Sequence, residues 1–138
     1  MKDPSVPLQK AVYDTLRAAL DISIGVYDRV PADSTGTIPI ATFPYVHIGE
    51  DQIASDADQC HDASTAYATV HVWSRAVGKV EAKTIMAQVC LALDVKLTVT
   101  GFEIIGHAVD DGPRHLDGGD GLTSHSVATF RYRLGPTT

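Results

Sequence analysis

Hydrophobic residues recur at helical spacing in two segments of the chain. The first, residues 5–20, carries Leu8, Val12, Leu16 and Leu20, one apolar residue in every four. The second, residues 79–93, follows a glycine at position 78 and has as its apolar positions Val80, Ile85, Met86, Val89, Cys90 and Leu93. The pattern therefore predicts two amphipathic helices, each with an apolar face that another layer must cover.

Alternating apolar and polar residues predict strands in the rest of the chain. The clearest cases are residues 65–75 and residues 124–134, where every second residue is apolar or small. Less regular candidates are residues 26–30, 43–50, 96–99 and 102–109. The resulting order, α-β-β-β-α-β-β, predicts an α+β fold. We expect an antiparallel or mixed sheet of about four or five strands with both helices packed on one face.

Three segments lack either periodicity. Residues 31–42 are rich in Pro, Gly, Ser and Thr, and residues 51–64 contain the acidic residues Asp51, Asp56, Asp58 and Asp62, so both are interpreted as polar loops. Residues 110–121, with the sequence DDGPRHLDGGDG, are interpreted as turns throughout.

Length, charge and cysteine content narrow the class of protein. The 138 residues fit one domain, 1–138, and the net charge of −6 argues against a protein that binds duplex DNA through a broad basic face. The sequence MKDPSVPLQK at the N-terminus has no apolar centre, so no signal peptide is expected, and no apolar run predicts a membrane span. Cys60 and Cys90 match no metal or redox spacing, and a reducing cytoplasm with free thiols is expected.

The histidines and the glycine-rich segment offer only weak candidates for chemistry. His47, His61, His71, His107, His115 and His125 form no H-x-H or H-x-x-x-H pair, so histidines on a half-exposed sheet are favoured over a metal site. The segment 117–121 lacks the spacing of a calcium loop. No nucleophile with a base and an orienting group is evident, so no catalytic residue, metal or cofactor is predicted.

Residues 67–75 contain the most distinctive group of side chains. Tyr67, Trp73 and Arg75 share one face of the predicted strand, and Arg131 and Arg133 share one face of the last strand. Aromatic and arginine side chains are enriched at protein interfaces, so these five residues form a candidate contact surface. The alternative is that Trp73 anchors the core. The sequence does not decide which face of the strand points inward.

Five segments follow one another between about Leu8 and Arg133: LQKAVY (8–13), FPYVHIGE (43–50), HVWSR (71–75), Gly78 with EAK (81–83), and FRYR (130–133). In their order and spacing they resemble a known family, the tail-terminator or tail-completion proteins of long-tailed bacteriophages and phage-derived gene transfer agents.

The resemblance implies a structural role without catalysis. Such proteins are α+β subunits of a ring, commonly of six, at the head-proximal end of the tail tube. The ring ends tube polymerisation and joins the tail to the head. The implied partners are other copies of the chain, the major tail tube protein, neck or connector proteins and the tape-measure protein, with DNA passing through unbound. The implied location is the virion, assembled in the host bacterial cytoplasm. The alternatives are a head-completion or neck protein, a metal- or ligand-binding enzyme domain, and a monomeric adaptor.

Overall fold

The structure of the protein, a computed structural model, describes residues 1–55 and 62–137. Its two helices are α1 (Ser5–Ala19) and α2 (Val80–Leu93). Its strands are β1 (Gly25–Tyr27), β2 (Tyr45–Ser55), β3 (Ser64–Ser74), β4 (Phe102–Asp117) and β5 (Ser124–Pro136), and a short 3₁₀ helix covers Ile40–Thr42. The predicted α+β fold and the element order α-β-β-β-α-β-β are confirmed.

The five strands form one mixed sheet in the order β1-β2-β3-β5-β4. β1 runs parallel to β2, and every other neighbouring pair is antiparallel. The central strand β3 pairs over its whole length with β5, from Ser64 opposite Leu134 to Ser74 opposite Ser124. This register fixes which side chains of the two strands lie side by side on each face.

Both helices pack on one face of the sheet, as predicted. Leu8, Val12 and Leu16 of α1 and Met86, Val89 and Leu93 of α2 are buried in one cluster with alternate residues of the strands. The strand residues of this cluster include Val46, Val70, Val72, Phe130, Tyr132 and Leu134. Tyr132 also donates a hydrogen bond from its hydroxyl to the backbone carbonyl of Leu93, at 2.6 Å, which fixes the end of α2 to β5.

The predicted turn segment 110–121 is wrong over most of its length, because residues 110–117 belong to β4. The pairing with β5 shifts register near Gly106, between Val109 and Asp111, and between Asp111 and Arg114. Such bulges are common on edge strands, and an edge strand tolerates glycine and proline. Gly112 has φ of +90°, a value that favours glycine. Residues 118–123 form the turn, and residues 96–99 contribute only an isolated bridge at Val99.

The predicted loop 51–64 is also wrong at its ends. Residues 51–55 extend β2 and Ser64 begins β3, with Asp51 opposite Ala68 and Ser55 opposite Ser64. A bulge after Ile48 interrupts the alternation of apolar and polar residues, so the sequence pattern does not show that the strand continues. Residues 56–61, including Cys60 and His61, lie outside the described residues. The loop 31–42 contains the short 3₁₀ helix and a turn at residues 33–37, and it is mostly exposed. Within the described ranges, neither helix is long and apolar enough to cross a membrane.

Candidate contact surface

The side of the sheet away from the helices, called the open face below, is formed by alternate residues of the two central strands. On β3 these are Tyr67, Thr69, His71 and Trp73, and on β5 they are His125, Val127, Thr129, Arg131 and Arg133. Their neighbours in sequence, such as Val72 and Phe130, are fully buried against the helices. Trp73 therefore lies on the open face, and the hypothesis that it anchors the core is wrong.

The structure places Tyr67, Trp73, Arg131 and Arg133 on the open face, with Arg75 directly after the end of β3, and separates the five predicted contact residues into two groups. Tyr67 lies directly opposite Arg131, with Arg133 in the adjoining row at one end of the sheet. Trp73 and Arg75 lie at the other end, where β3 leads into α2. Two rows separate the groups, and in one of them the hydroxyls of Thr69 and Thr129 are hydrogen bonded at 3.1 Å.

Arg131 and Arg133 are exposed because the edge strand offers small residues beside them. Gly106 of β4 pairs with Arg133, and Ala108 pairs with Arg131. The guanidinium of Arg131 lies 3.4 Å from the Asp110 carboxylate, with about half of the arginine side chain exposed. An exposed pair of this kind stabilises the fold little, so its charges remain free to interact with a partner.

Arg75 has a structural role within the chain. Its guanidinium lies 4.8 Å from the centre of the Phe43 ring, and its Nε donates a hydrogen bond to the Thr123 hydroxyl at 3.0 Å. It also lies 3.8 Å from the carboxylate of Asp120, in the turn between β4 and β5. Hydrogen bonds from the Thr123 hydroxyl and from the amides of Leu122 and Thr123 lower the pKa of Asp120 to about 2. Arg75 thus connects β3 to a turn that is itself tightly bonded.

Four aromatic rings form a stack across the open face, which the sequence did not reveal. The rings of Trp73 and His125 are parallel, with centroids 3.8 Å apart. His71 stacks against His125 at 5.0 Å, and His47 stacks against His71 at 5.7 Å. His71 Nδ1 and His125 Nε2 are also hydrogen bonded at 2.8 Å. Alternation could place each histidine on the same face as Trp73, but only the strand register brings the rings together.

The stacked histidines have a distinctive electrostatic environment. Burial lowers the pKa of His125, and the nearby His71 and Arg114 lower it further, while Glu50 opposes them. The Glu50 carboxylate lies 3.4 Å from His71 Nε2. Across residues 1–55 and 62–137, no group of three or more metal-ligating side chains is close enough to hold an ion.

Cys90 offers no reactive thiol in this structure. It lies on α2, partly buried against the core, and burial together with the Asp94 carboxylate raises the pKa of its thiol. A raised pKa disfavours the thiolate, the nucleophilic form. On the open face, the Trp73 ring lies at an aromatic end of the sheet, and Arg131 and Arg133 lie at a basic end.

Comparisons with known proteins agree with this architecture. A family described as "Tail completion protein gp17" matches residues 10–135. A chain of the "Virion of native gene transfer agent (GTA) particle" has a similar fold, with TM-score 0.77, 20% identity, and coverage of 98% of this chain and 99% of that chain. Bacteriophage SPP1 gp17 gives TM-score 0.61 and 21% identity, covering 97% of this chain and 93% of its own. No curated protein sequence matches the chain.

Proposed function

Because this chain belongs to the tail completion protein gp17 family, we propose that it forms a ring of six copies at the head-proximal end of a phage-type tail tube. The ring ends polymerisation of the tube and joins the tail to the head. The family match over residues 10–135 carries this proposal, since it includes most of α1, all of α2, all of β1 to β4 and all but the last residue of β5.

The surface of the subunit supports a role in assembly. A head-to-tail ring requires two different contact surfaces on each copy. The open face, with Trp73 at one end and Arg131 and Arg133 at the other, supplies aromatic and arginine groups of the kind that interfaces use. The exposed loop 31–42 is a further element that contributes little to the core and is available to a neighbouring ring.

The proposed partners follow from this position in the particle. They are other copies of the chain, the major tail tube protein, the neck or connector proteins and the tape-measure protein. DNA passes through the ring without specific binding, which suits a subunit with a net charge of −6. The protein is proposed to act without catalysis or cofactor, in the virion, after assembly in the host bacterial cytoplasm.

The test is deletion of the gene from its particle, with complementation by the intact chain and electron microscopy of the products. We expect overlong or unjoined tails without the chain and normal particles with it. Tails of normal length that fail to join heads would instead support a neck protein. Normal infectious particles without the chain would refute both roles. The mass of the purified assembly, measured by native mass spectrometry, tests the six-fold ring separately.

A further inference from the structure

His71 and His125 share a hydrogen bond that depends on their protonation. Nδ1 of His71 and Nε2 of His125 are 2.8 Å apart, so one of these nitrogens must carry a hydrogen and the other a lone pair. When both rings are protonated, both facing nitrogens carry hydrogens and neither can accept. The bond is then lost, and two positive rings are left in contact.

Neighbouring strands hold the two rings in this arrangement from both sides. Trp73 covers His125 with its ring plane parallel to within 2°. On the other side, Gly49 of β2 leaves room for His71, because a Cβ at this position would lie 2.7 Å from the imidazole. The pair is therefore packed tightly enough that loss of the bond must move a ring.

The charged groups around the pair come from both neighbouring strands. Glu50 lies 3.4 Å from His71, and His47 stacks on the far side of His71. Arg114 and Asp111 of β4 line the same cavity, of about 200 Å³, as the two histidines. Glu50 can hold a protonated His71, whereas burial, and then His71 and Arg114, disfavour a charge on His125. When the second proton binds, His125 is therefore the ring that moves away from its partner, His71.

We propose that the His71–His125 pair is a proton-operated switch on the open face. With one hydrogen between the facing nitrogens, the pair holds Trp73 flat against His125. With both rings protonated, His71 stays with Glu50, His125 separates from it, and Trp73, which is already partly exposed, becomes more accessible to solvent. Histidine pairs can act in this way because their ordinary pKa, about 6.5, lies close to physiological pH. The switch operates within one chain and does not depend on ring assembly.

Trp73 is the single tryptophan of the chain, so its fluorescence reports directly on the pair. The full-length protein is titrated from about pH 8 to about pH 5, a range that includes the ordinary histidine pKa. We expect a red shift of the emission and stronger quenching by acrylamide, with a midpoint below about pH 6.5 because burial opposes the charge on His125. The far-ultraviolet circular dichroism should stay unchanged across the transition.

Two variants assign the transition to the pair. His125→Gln can still hydrogen bond but cannot take up the proton, so the transition should disappear. His71→Gln should have the same effect and serves if the first variant does not fold. His107→Gln is the control, because His107 bonds to Asp94 and has no contact with the stack, and the transition should remain. Constant acrylamide quenching in the native protein, persistence of the transition in either pair variant, or simultaneous loss of secondary structure would overturn the proposal.

Discussion

At the residue scale, glycines as well as large side chains determine how closely the groups on the open face pack. A Cβ at Gly49 would meet the ring of His71 at 2.7 Å, and one at Gly112 would meet the Val127 carbonyl at 2.8 Å. Gly106, also in a strand, has no atom within 4 Å of such a Cβ. Neither Gly49 nor Gly106 has a positive φ, so the two sites differ in the atoms that an added methyl group would meet.

Gly49→Ala should destabilise the protein by about 1–3 kcal/mol, the usual cost of forcing an extra methyl group into a packed site. The cost arises because His71 is held between His47 and His125 and cannot move aside freely. Urea unfolding measures the difference. Gly106→Ala is the matched control and should have little effect. Equal stability of the two variants would show that the histidine stack is not tightly packed.

Tyr132→Phe should also destabilise the fold, by about 1–3 kcal/mol, because it leaves the buried Leu93 carbonyl without its 2.6 Å partner. Tyr67→Phe, on the open face, should have a much smaller effect. Burial, and then the Asp94 carboxylate, raise the pKa of Tyr132 above its ordinary value. The unfolded state therefore ionises first, and the native protein should lose stability above about pH 10, more steeply than Tyr132→Phe. Identical alkaline unfolding curves for the two proteins would contradict this.

Single residues show where sequence reasoning reached its limit. Alternation placed Tyr67, Trp73 and Arg75 on one face, and the structure confirms this for Tyr67 and Trp73, whereas Arg75 follows the end of β3. It could not tell the inner face from the outer one, because alanine and valine on one side and aromatic and polar groups on the other both suit a core or a surface. The histidine stack depends on the pairing of three strands that are distant in sequence, and no local pattern encodes that register.

At the element scale, the helices and the edge strand differ in how well the sequence predicts them. The boundaries of α2 were predicted closely because its apolar stripe is continuous and packs on the sheet. β4 was missed beyond Val109 because its bulges and exposed side chains remove the alternation that identifies a strand. An edge strand has a neighbouring strand on one side only, and its alternation of apolar and polar residues is therefore weak.

Val89→Asp should unfold the subunit. Val89 is fully buried beneath α2, and an unpaired buried charge costs several kcal/mol, against a total stability of about 5–15 kcal/mol. Leu91→Asp is the matched control on the same helix, since Leu91 is 82% exposed, and it should fold normally. Circular dichroism during thermal unfolding distinguishes the two. A cooperatively folded Val89→Asp variant would mean that α2 does not pack as described.

Residues 33–37 form a self-contained turn within the loop 31–42. The amide of Asp33 donates to the carbonyl of Thr37 at 2.9 Å, and the Asp33 carboxylate accepts from the amide of Thr35 at 2.8 Å. Replacing residues 33–37 by two glycines should change the free energy of unfolding by less than about 1 kcal/mol, since loop closure depends weakly on length. We expect the variant to fold but to complement particle assembly poorly. A second variant with glycine at every position from 33 to 37 keeps the original loop length, so it distinguishes the effect of length from the effect of the side chains. Normal complementation would exclude the loop from assembly.

At the scale of the whole molecule, both helices cover one side of the sheet, and the open face is the side that they leave uncovered. The sequence predicted the fold from periodicity, the family from the order of weak segments and a set of candidate contact residues, yet it did not predict which of these side chains lie together. The side chains that meet on the open face come from neighbouring strands, so their contacts depend on the strand register. The structure divides the predicted contact surface into an aromatic end, where Arg75 supports the fold, and a basic end, where Arg131 and Arg133 are exposed.

Arg131→Glu combined with Arg133→Glu should leave the subunit folded and block particle completion. Both arginines are exposed, so loss of their surface interactions, among them the Arg131–Asp110 pair, should cost at most about 1 kcal/mol each, whereas reversed charges at an interface repel the partner groups that the arginines contact. Lys96→Glu is the matched control, because Lys96 pairs with Glu103 at 3.3 Å on a different part of the surface. Thermal unfolding checks the fold, and complementation with electron microscopy counts joined tails. If the double variant completes particles as well as Lys96→Glu does, the basic end of the open face has no part in assembly.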